Sequence, residues 1–236
     1  MCKHLVHKCL KMRQQRRGMR DTFLFDLDGT LVSMELNFAE IRRKVDILLV
    51  EKGYPHSLLD NRRSVLETIT AAVEYAQKKG LDWEVMKKKV ETYLEEVELE
   101  AASRAVLLEG AEDILKELKE RGAKVGIITR NNRKVALQVL KKSGLPRYVD
   151  IVLAREDVDN VKPHPDHVMK ALEKLGSAPA QTVVLGDHHF EIEAGNVAGC
   201  YTVGVLTGSG TRETLKDADL ILNSIKDLKD VIDSIG

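Results

Sequence analysis

The sequence has only three cysteines, no net charge, and no apolar run approaching the roughly 20 residues needed to cross a bilayer. Each absence excludes a class of protein. Cys2, Cys9 and Cys200 are odd in number and scattered, which argues against a disulfide framework and fits a reducing cytoplasm. Without a long apolar run, no membrane-spanning helix is expected. Basic and acidic side chains balance at 37 each, so no global field marks the chain as a nucleic-acid or membrane binder. Residues 1–20 are the exception: they carry seven lysines or arginines and no acid, leaving 30 basic against 37 acidic residues in the remainder. This tail has no serine and no small-residue cleavage pattern, and Lys8 and Lys11 break its apolar residues, so it does not read as a secretory signal. A disordered, dispensable extension is expected, with Met19-Arg20-Asp21 as an ordinary start ahead of the first strand. Only this tail is expected to offer nucleic acid a basic contact. Its Cys2, His4, His7 and Cys9 are spaced too tightly, one residue between each Cys and its neighbouring His, for a usual structural zinc site.

What is present is a globular composition, 43% hydrophobic and 31% charged, over 236 residues. That is enough for a core domain with a smaller insertion. The apolar run Thr22-Phe23-Leu24-Phe25 meets the polar turn Asp26-Leu27-Asp28-Gly29-Thr30, as a buried strand meets a loop. From Asn37 the period changes to that of helices. Phe38, Ile41, Val45, Leu48 and Leu49 form one stripe, with Asn37 as N-cap and Glu40 three positions later, and the helix stops near Gly53-Tyr54-Pro55. Val65, Ile69, Ala72, Val73 and Ala76 form a second stripe, and Trp83 through Val97 a third. Residues 34–104 therefore read as an all-helical insertion.

After Gly110 helix and strand alternate. Helices are expected over 111–121, 132–143, 166–175, 190–198 and 225–234, and strands at 125–128, 151–154, 182–185, 201–205 and 220–222. This α/β alternation predicts a parallel sheet covered on both faces, with the ligand crevice at the carboxyl ends of its strands. The division expected is a core over 21–33 and 105–236, interrupted by the helical block 34–104.

Polar residues gather at those strand ends: Asp26 and Asp28 after the first strand, Thr129 after the second, Lys162 beyond the third, Gly186-Asp187 after the fourth. Any one of them could be a turn or cap residue. Together, carboxylates could bind a hard cation, and that cation with the lysine could neutralise a phosphoryl group that the acids alone would repel. Arg130 and Asn131 could offer backbone N–H groups to a phosphate at a helix start, or serve as plain capping residues.

Here the sequence resembles the haloacid dehalogenase (HAD) superfamily. The family's first motif, DxDGT, is matched by Asp26-Leu27-Asp28-Gly29-Thr30; Thr129 is similar to the second, Lys162 before Pro163 to the third, and Gly186-Asp187 with Glu191 to the fourth. The resemblance covers residues 21 to about 224. It implies a Rossmann-like core, and the insertion is similar to the family's C1 cap, as in phosphoglycolate phosphatases and β-phosphoglucomutases. It further implies that Asp26 attacks phosphorus to give an aspartyl-phosphate, that Asp28 protonates the leaving alcohol and then activates water, and that Thr129 and Lys162 grip the phosphoryl oxygens. The implied cofactor is Mg²⁺, held by Asp26, the Asp28 carbonyl and Asp187. Glu191 stands where the family has a second Asp; one methylene longer, it is expected in the outer shell, on a metal-bound water or on Lys162. Glu193 is the rival acid, turned roughly 200° away on the same helix.

The resemblance implies a phosphatase for a small phosphate ester, phosphoglycolate by family frequency. The dehalogenating branch lacks the second aspartate and needs no metal, so Asp28 favours phosphate chemistry. A phosphomutase of the β-phosphoglucomutase type and a non-catalytic binding protein are the alternatives. Specificity is expected in the insertion, where Arg42, Arg43, Tyr54, Arg62, Arg63 and Tyr75 are candidates, though each reads first as part of a solvated face. His164, His167, His188 and His189 have no HExxH spacing, and surface imidazoles are the expectation for His188 and His189.

Overall fold

Phe23, Leu24 and Phe25 are each at most 2% exposed, because the strand they form lies in the middle of the sheet. The computed structural model describes residues 20–59 and 63–235. Within it, strand β1 (Thr22–Phe25) pairs in parallel with β4 (Lys124–Ile128) on one side and β6 (Thr182–Gly186) on the other. Beyond β4 lies β5 (Ile151–Leu153); beyond β6 come β7 (Tyr201–Val205) and β8 (Leu220–Leu222). The resulting order is β5-β4-β1-β6-β7-β8, all parallel. Successive strands run outward from β1 on one side, then the chain crosses back to continue from β6. That reversal beside β1 is where such sheets open a crevice at their carboxyl ends.

The helices of this unit are α4 (Ala111–Glu120), α5 (Arg133–Lys142), α6 (Asp166–Leu175), α7 (His189–Ala198) and α8 (Leu228–Ile235). Each buries an apolar stripe: Ile114, Leu115 and Leu118 on α4, and Val135, Ala136, Val139 and Leu140 on α5. The single helix expected over 225–234 is in fact a 3-10 turn, Ile225–Asp227, followed by α8. Ser224 caps that turn by accepting from the Lys226 amide, which tightens the first turn instead of extending an α-helix.

A second compact unit is formed by Glu35–Arg104, whose contacts separate it from the rest. It holds α1 (Phe38–Glu51), α2 (Val65–Lys79) and α3 (Glu84–Arg104), with a 3-10 turn at His56–Leu58. Val45, Leu49, Ala72, Ala76, Val90 and Leu94 form its apolar centre. Asn37 caps α1 through its side chain, accepting from the Glu40 amide at 3.1 Å, and Ser64 with Glu67 makes a capping box on α2. Tyr54 is 5% exposed and packs against Tyr75 and Trp83, with ring centroids 5.8 Å away in each case. It is therefore a core residue of this unit, not an exposed specificity candidate. Arg62 lies outside the described residues.

Two short strands were not foreseen. β2 (Val32–Ser33) and β3 (Val106–Leu107) pair antiparallel just beside the two points where the helical unit joins the chain. The expectations for the tail fall on residues 1–19, outside the description. Arg20 is described: its guanidinium donates to the Ile235 carbonyl at 2.6 Å and lies 4.2 Å from the centre of the Tyr201 ring. No helix of the described residues is long and apolar enough to cross a membrane.

Candidate active site

β1 ends at Phe25, so Asp26 emerges at the carboxyl edge of the central strand, its amide still bonded to the Leu185 carbonyl at 2.9 Å. Gly29, at φ +83°, turns the chain back over the strand end, a backbone conformation that suits glycine. Asp28 is half-buried, and its Oδ1 accepts from the Met34 amide at 2.7 Å.

Lys162 is fully buried although it is a lysine. An ammonium has three donors, and here all three are satisfied: Asp26 Oδ1 at 2.7 Å, the Ile128 carbonyl at 2.7 Å, and Glu191 Oε1 at 2.6 Å. The second oxygen of Glu191 accepts from the His188 amide at 3.2 Å, which starts α7 with a capping box. Glu191 is thus held at both oxygens and is 2% exposed, whereas Glu193 is exposed. The longer side chain is accommodated because Gly186 has none; a Cβ there would stand 2.2 Å from Glu191 Cγ.

Thr129 is 2% exposed at the end of β4. Its Oγ1 accepts from the Asn131 amide at 3.2 Å, so that N–H orients the threonine inside the loop. The helix-capping role foreseen for Arg130 or Asn131 belongs to Asn132, whose side chain accepts from the Val135 amide at 2.8 Å. The Arg130 guanidinium lies 4.1 Å from the centre of the Phe190 ring, within cation–π range. The rings of His188, His189 and Phe190 cluster with centroids 4.0 to 4.4 Å apart, tilted against one another. Burial, then the neighbouring His189, pushes the half-buried His188 down to about 4. His167 is fully buried, with Nε2 3.1 Å from the Ala154 carbonyl, and burial followed by the Lys162 charge pushes it down to about 4.

The electrostatics are those of too many carboxylates in one place. Burial raises Asp26 well above the usual carboxylate range; Lys162 opposes this, while Glu191 and Asp187 add to it. Burial is likewise the main cause for Asp187, which is raised, and for Asp28, raised to about 7. Burial alone would lower Lys162, but the Asp26 and Glu191 carboxylates hold it above its ordinary value. Asp26 and Glu191 thus flank one ammonium, and Asp187 lies near enough to raise both Asp26 and Asp28.

That donor set fits a hard divalent cation, which binds oxygen and would offset the excess negative charge. Among the described residues no group of three or more His, Cys, Asp or Glu side chains forms a ready-made cage.

Sequence reasoning missed the loop after β7. Ser209 donates to Asp187 Oδ2 through both its amide, at 2.8 Å, and its hydroxyl, at 3.1 Å, and Thr207 Oγ1 donates to the Gly29 carbonyl at 2.7 Å. The available signal was positional: Thr207-Gly208-Ser209-Gly210 follows a strand end, like the other site residues.

The model of the haloacid dehalogenase-like hydrolases matches residues 23–205. Pyrophosphatase PpaX of Halalkalibacterium halodurans is 32% identical over 214 residues, covering 90% of this chain and 96% of its own. Among solved structures, a hydrolase from Pseudomonas syringae superposes with a TM-score of 0.71 at 22% identity, over 92% of this chain and 99% of that one. A β-phosphoglucomutase from Clostridium difficile does so with a TM-score of 0.66 at 24% identity, over 92% and 97%. Since the family match spans the strands and loops that carry Asp26, Thr129, Lys162 and Asp187, the chain belongs to the haloacid dehalogenase-like hydrolases.

Proposed function

We propose that this protein is a Mg²⁺-dependent phosphatase that hydrolyses a small phosphate compound through an aspartyl-phosphate on Asp26. The observation that carries the reading is the buried bond of Asp26 Oδ1 to Lys162, with Asp28 two residues farther on. Because Lys162 occupies Oδ1, Oδ2 is the oxygen left to attack phosphorus. Covalent catalysis of this kind divides one difficult transfer into two easier ones. The Thr129 hydroxyl holds a phosphoryl oxygen where charge develops, while Lys162, its three N–H taken, orients Asp26 and supplies positive charge beside it. Asp28, raised to about 7, holds a proton for the leaving group near neutral pH and takes one from water in the second step. Mg²⁺, held by Asp26, Asp187 and the Asp28 carbonyl, would supply the positive charge that offsets the phosphoryl oxygens. Glu191 acts on Lys162 rather than on the ion.

For the substrate, the 32% identity to pyrophosphatase PpaX puts inorganic pyrophosphate beside small phosphate monoesters such as phosphoglycolate. The likeness to β-phosphoglucomutase, at 24% identity, supports the fold alone. Cys200, the one described cysteine, is buried, and burial pushes its thiol up to about 12, so it is a poor nucleophile. The test is a screen of pyrophosphate, phosphoglycolate, nucleoside monophosphates and hexose 1-phosphates with Mg²⁺, on the wild type and Asp26→Asn. Release of phosphate by the wild type alone supports the reading. Turnover that survives Asp26→Asn or excess chelator, or hexose phosphate isomerised without phosphate release, overturns it.

A further inference from the structure

Asp187 is enclosed on three sides by two loops. A Cβ on Gly29 would stand 2.6 Å from its Cγ, a Cβ on Gly208 2.1 Å from its Oδ2, and a Cβ on Gly210 2.0 Å from its backbone oxygen. These glycines allow backbone to pack directly against the carboxylate. At the remaining edge, Ser209 directs its amide, at 2.8 Å, and its hydroxyl, at 3.1 Å, onto the same oxygen, Oδ2. The other oxygen, Oδ1, accepts from the Thr30 hydroxyl at 3.5 Å, at the limit of a hydrogen bond. Thr207 Oγ1 fixes the loop that bears Ser209 to the Gly29 carbonyl, so the two loops enclosing Asp187 are tied together.

We infer that Ser209 is a positioning residue for the metal site: by taking up Oδ2 of Asp187 it fixes the carboxylate plane and presents Oδ1 as the oxygen that binds the cation. Two convergent donors define the side-chain torsion, whereas one would leave it free to rock about the shared bond. They also stabilise the ionised form, the form a metal needs. Ser209 is itself exposed and far along the chain, 22 residues from Asp187, so its hydroxyl has no role in the packed core. This inference rests on the metal reading above. Outer-shell partners of this kind commonly change metal affinity by about 10- to 100-fold.

The test is calorimetric titration of Mg²⁺ into the full chain without substrate, on the wild type, Ser209→Ala and Ser209→Thr, with unfolding midpoints measured metal-free. Ser209→Ala should weaken Mg²⁺ binding about tenfold. Ser209→Thr, which keeps the hydroxyl, should stay within about twofold, and all three metal-free midpoints should agree within about 2 °C. A Ser209→Ala affinity within about twofold of wild type, a threonine variant as weak as alanine, or a metal-free midpoint that falls in step with affinity would each overturn the inference. Those results leave the metal reading standing; a wild type that binds no Mg²⁺ would overturn both.

Discussion

Lys162 Nζ lies 2.6 Å from Glu191 Oε1, and neither side chain is more than 3% exposed. The pair joins the β5–α6 connection to α7 beneath Asp26. Removing one partner of a buried ion pair leaves an uncompensated charge and costs on the order of 3 kcal/mol or more. Glu191→Ala should therefore lower the urea midpoint by a corresponding amount while shifting the Mg²⁺ requirement only mildly. Asp187→Ala should raise that requirement severely, and Glu193→Ala hardly at all. If Glu193→Ala raised it more than Glu191→Ala, the acid assigned to the fourth motif would be the wrong one.

Asp26→Asn keeps the size of the side chain and removes the nucleophile. Phosphate release should fall by about 10³-fold or more, and acid-quenched protein should carry no phosphate. The wild type, quenched during turnover, should carry base-labile phosphate on this residue. A wild type that never becomes labelled while turning over would exclude the covalent route.

Asp28 is expected to matter according to the leaving group. Loss of a general acid typically costs about 10²- to 10⁴-fold, and a leaving group that departs without a proton escapes that penalty in the first step. Asp28→Asn should slow formation of the phospho-enzyme strongly with an alkyl phosphate and much less with p-nitrophenyl phosphate, as measured in a single turnover. Equal losses with both would instead point to a structural role through its 2.7 Å bond to the Met34 amide.

His167 offers a test of stability against pH. Its folded value, about 4, is depressed from the ordinary 6.5, so the neutral ring is favoured in the folded chain. The sign follows: its contribution is complete above pH 6.5 and is lost as pH falls towards 4, by up to on the order of 3 kcal/mol. His167→Gln removes this titration, so the variant should gain stability relative to wild type between pH 6.5 and 4. A difference in unfolding free energy that is constant over that window would show that His167 does not titrate as its burial requires.

Local chemistry in the sequence was sufficient for much of this protein. Apolar runs ending in Asp26, Thr129 and Asp187 marked the strands and their carboxyl ends, and the stripes at helical period marked α1 to α3, because periodicity and capping act within a few residues. Asn37 as a cap is decided by a bond three residues long.

What spans the chain was decided only by the fold. The antiparallel pairing of Val32–Ser33 with Val106–Leu107 joins segments more than 70 residues apart in strands too short to leave a periodic signal. The order β5-β4-β1-β6-β7-β8 depends on which faces the crossover helices cover. In sequence Lys162 is marked only by its place before Pro163 in a loop and by the motif it resembles; nothing there shows that it is buried. Its complete burial requires Asp26, Ile128 and Glu191 to converge from three different elements, each supplying an acceptor for one N–H. The same holds for Ser209, whose meaning lies in the oxygen of Asp187 that it occupies. Such groups are costly to bury singly and stable only together, so their roles belong to the tertiary structure and not to any stretch of sequence.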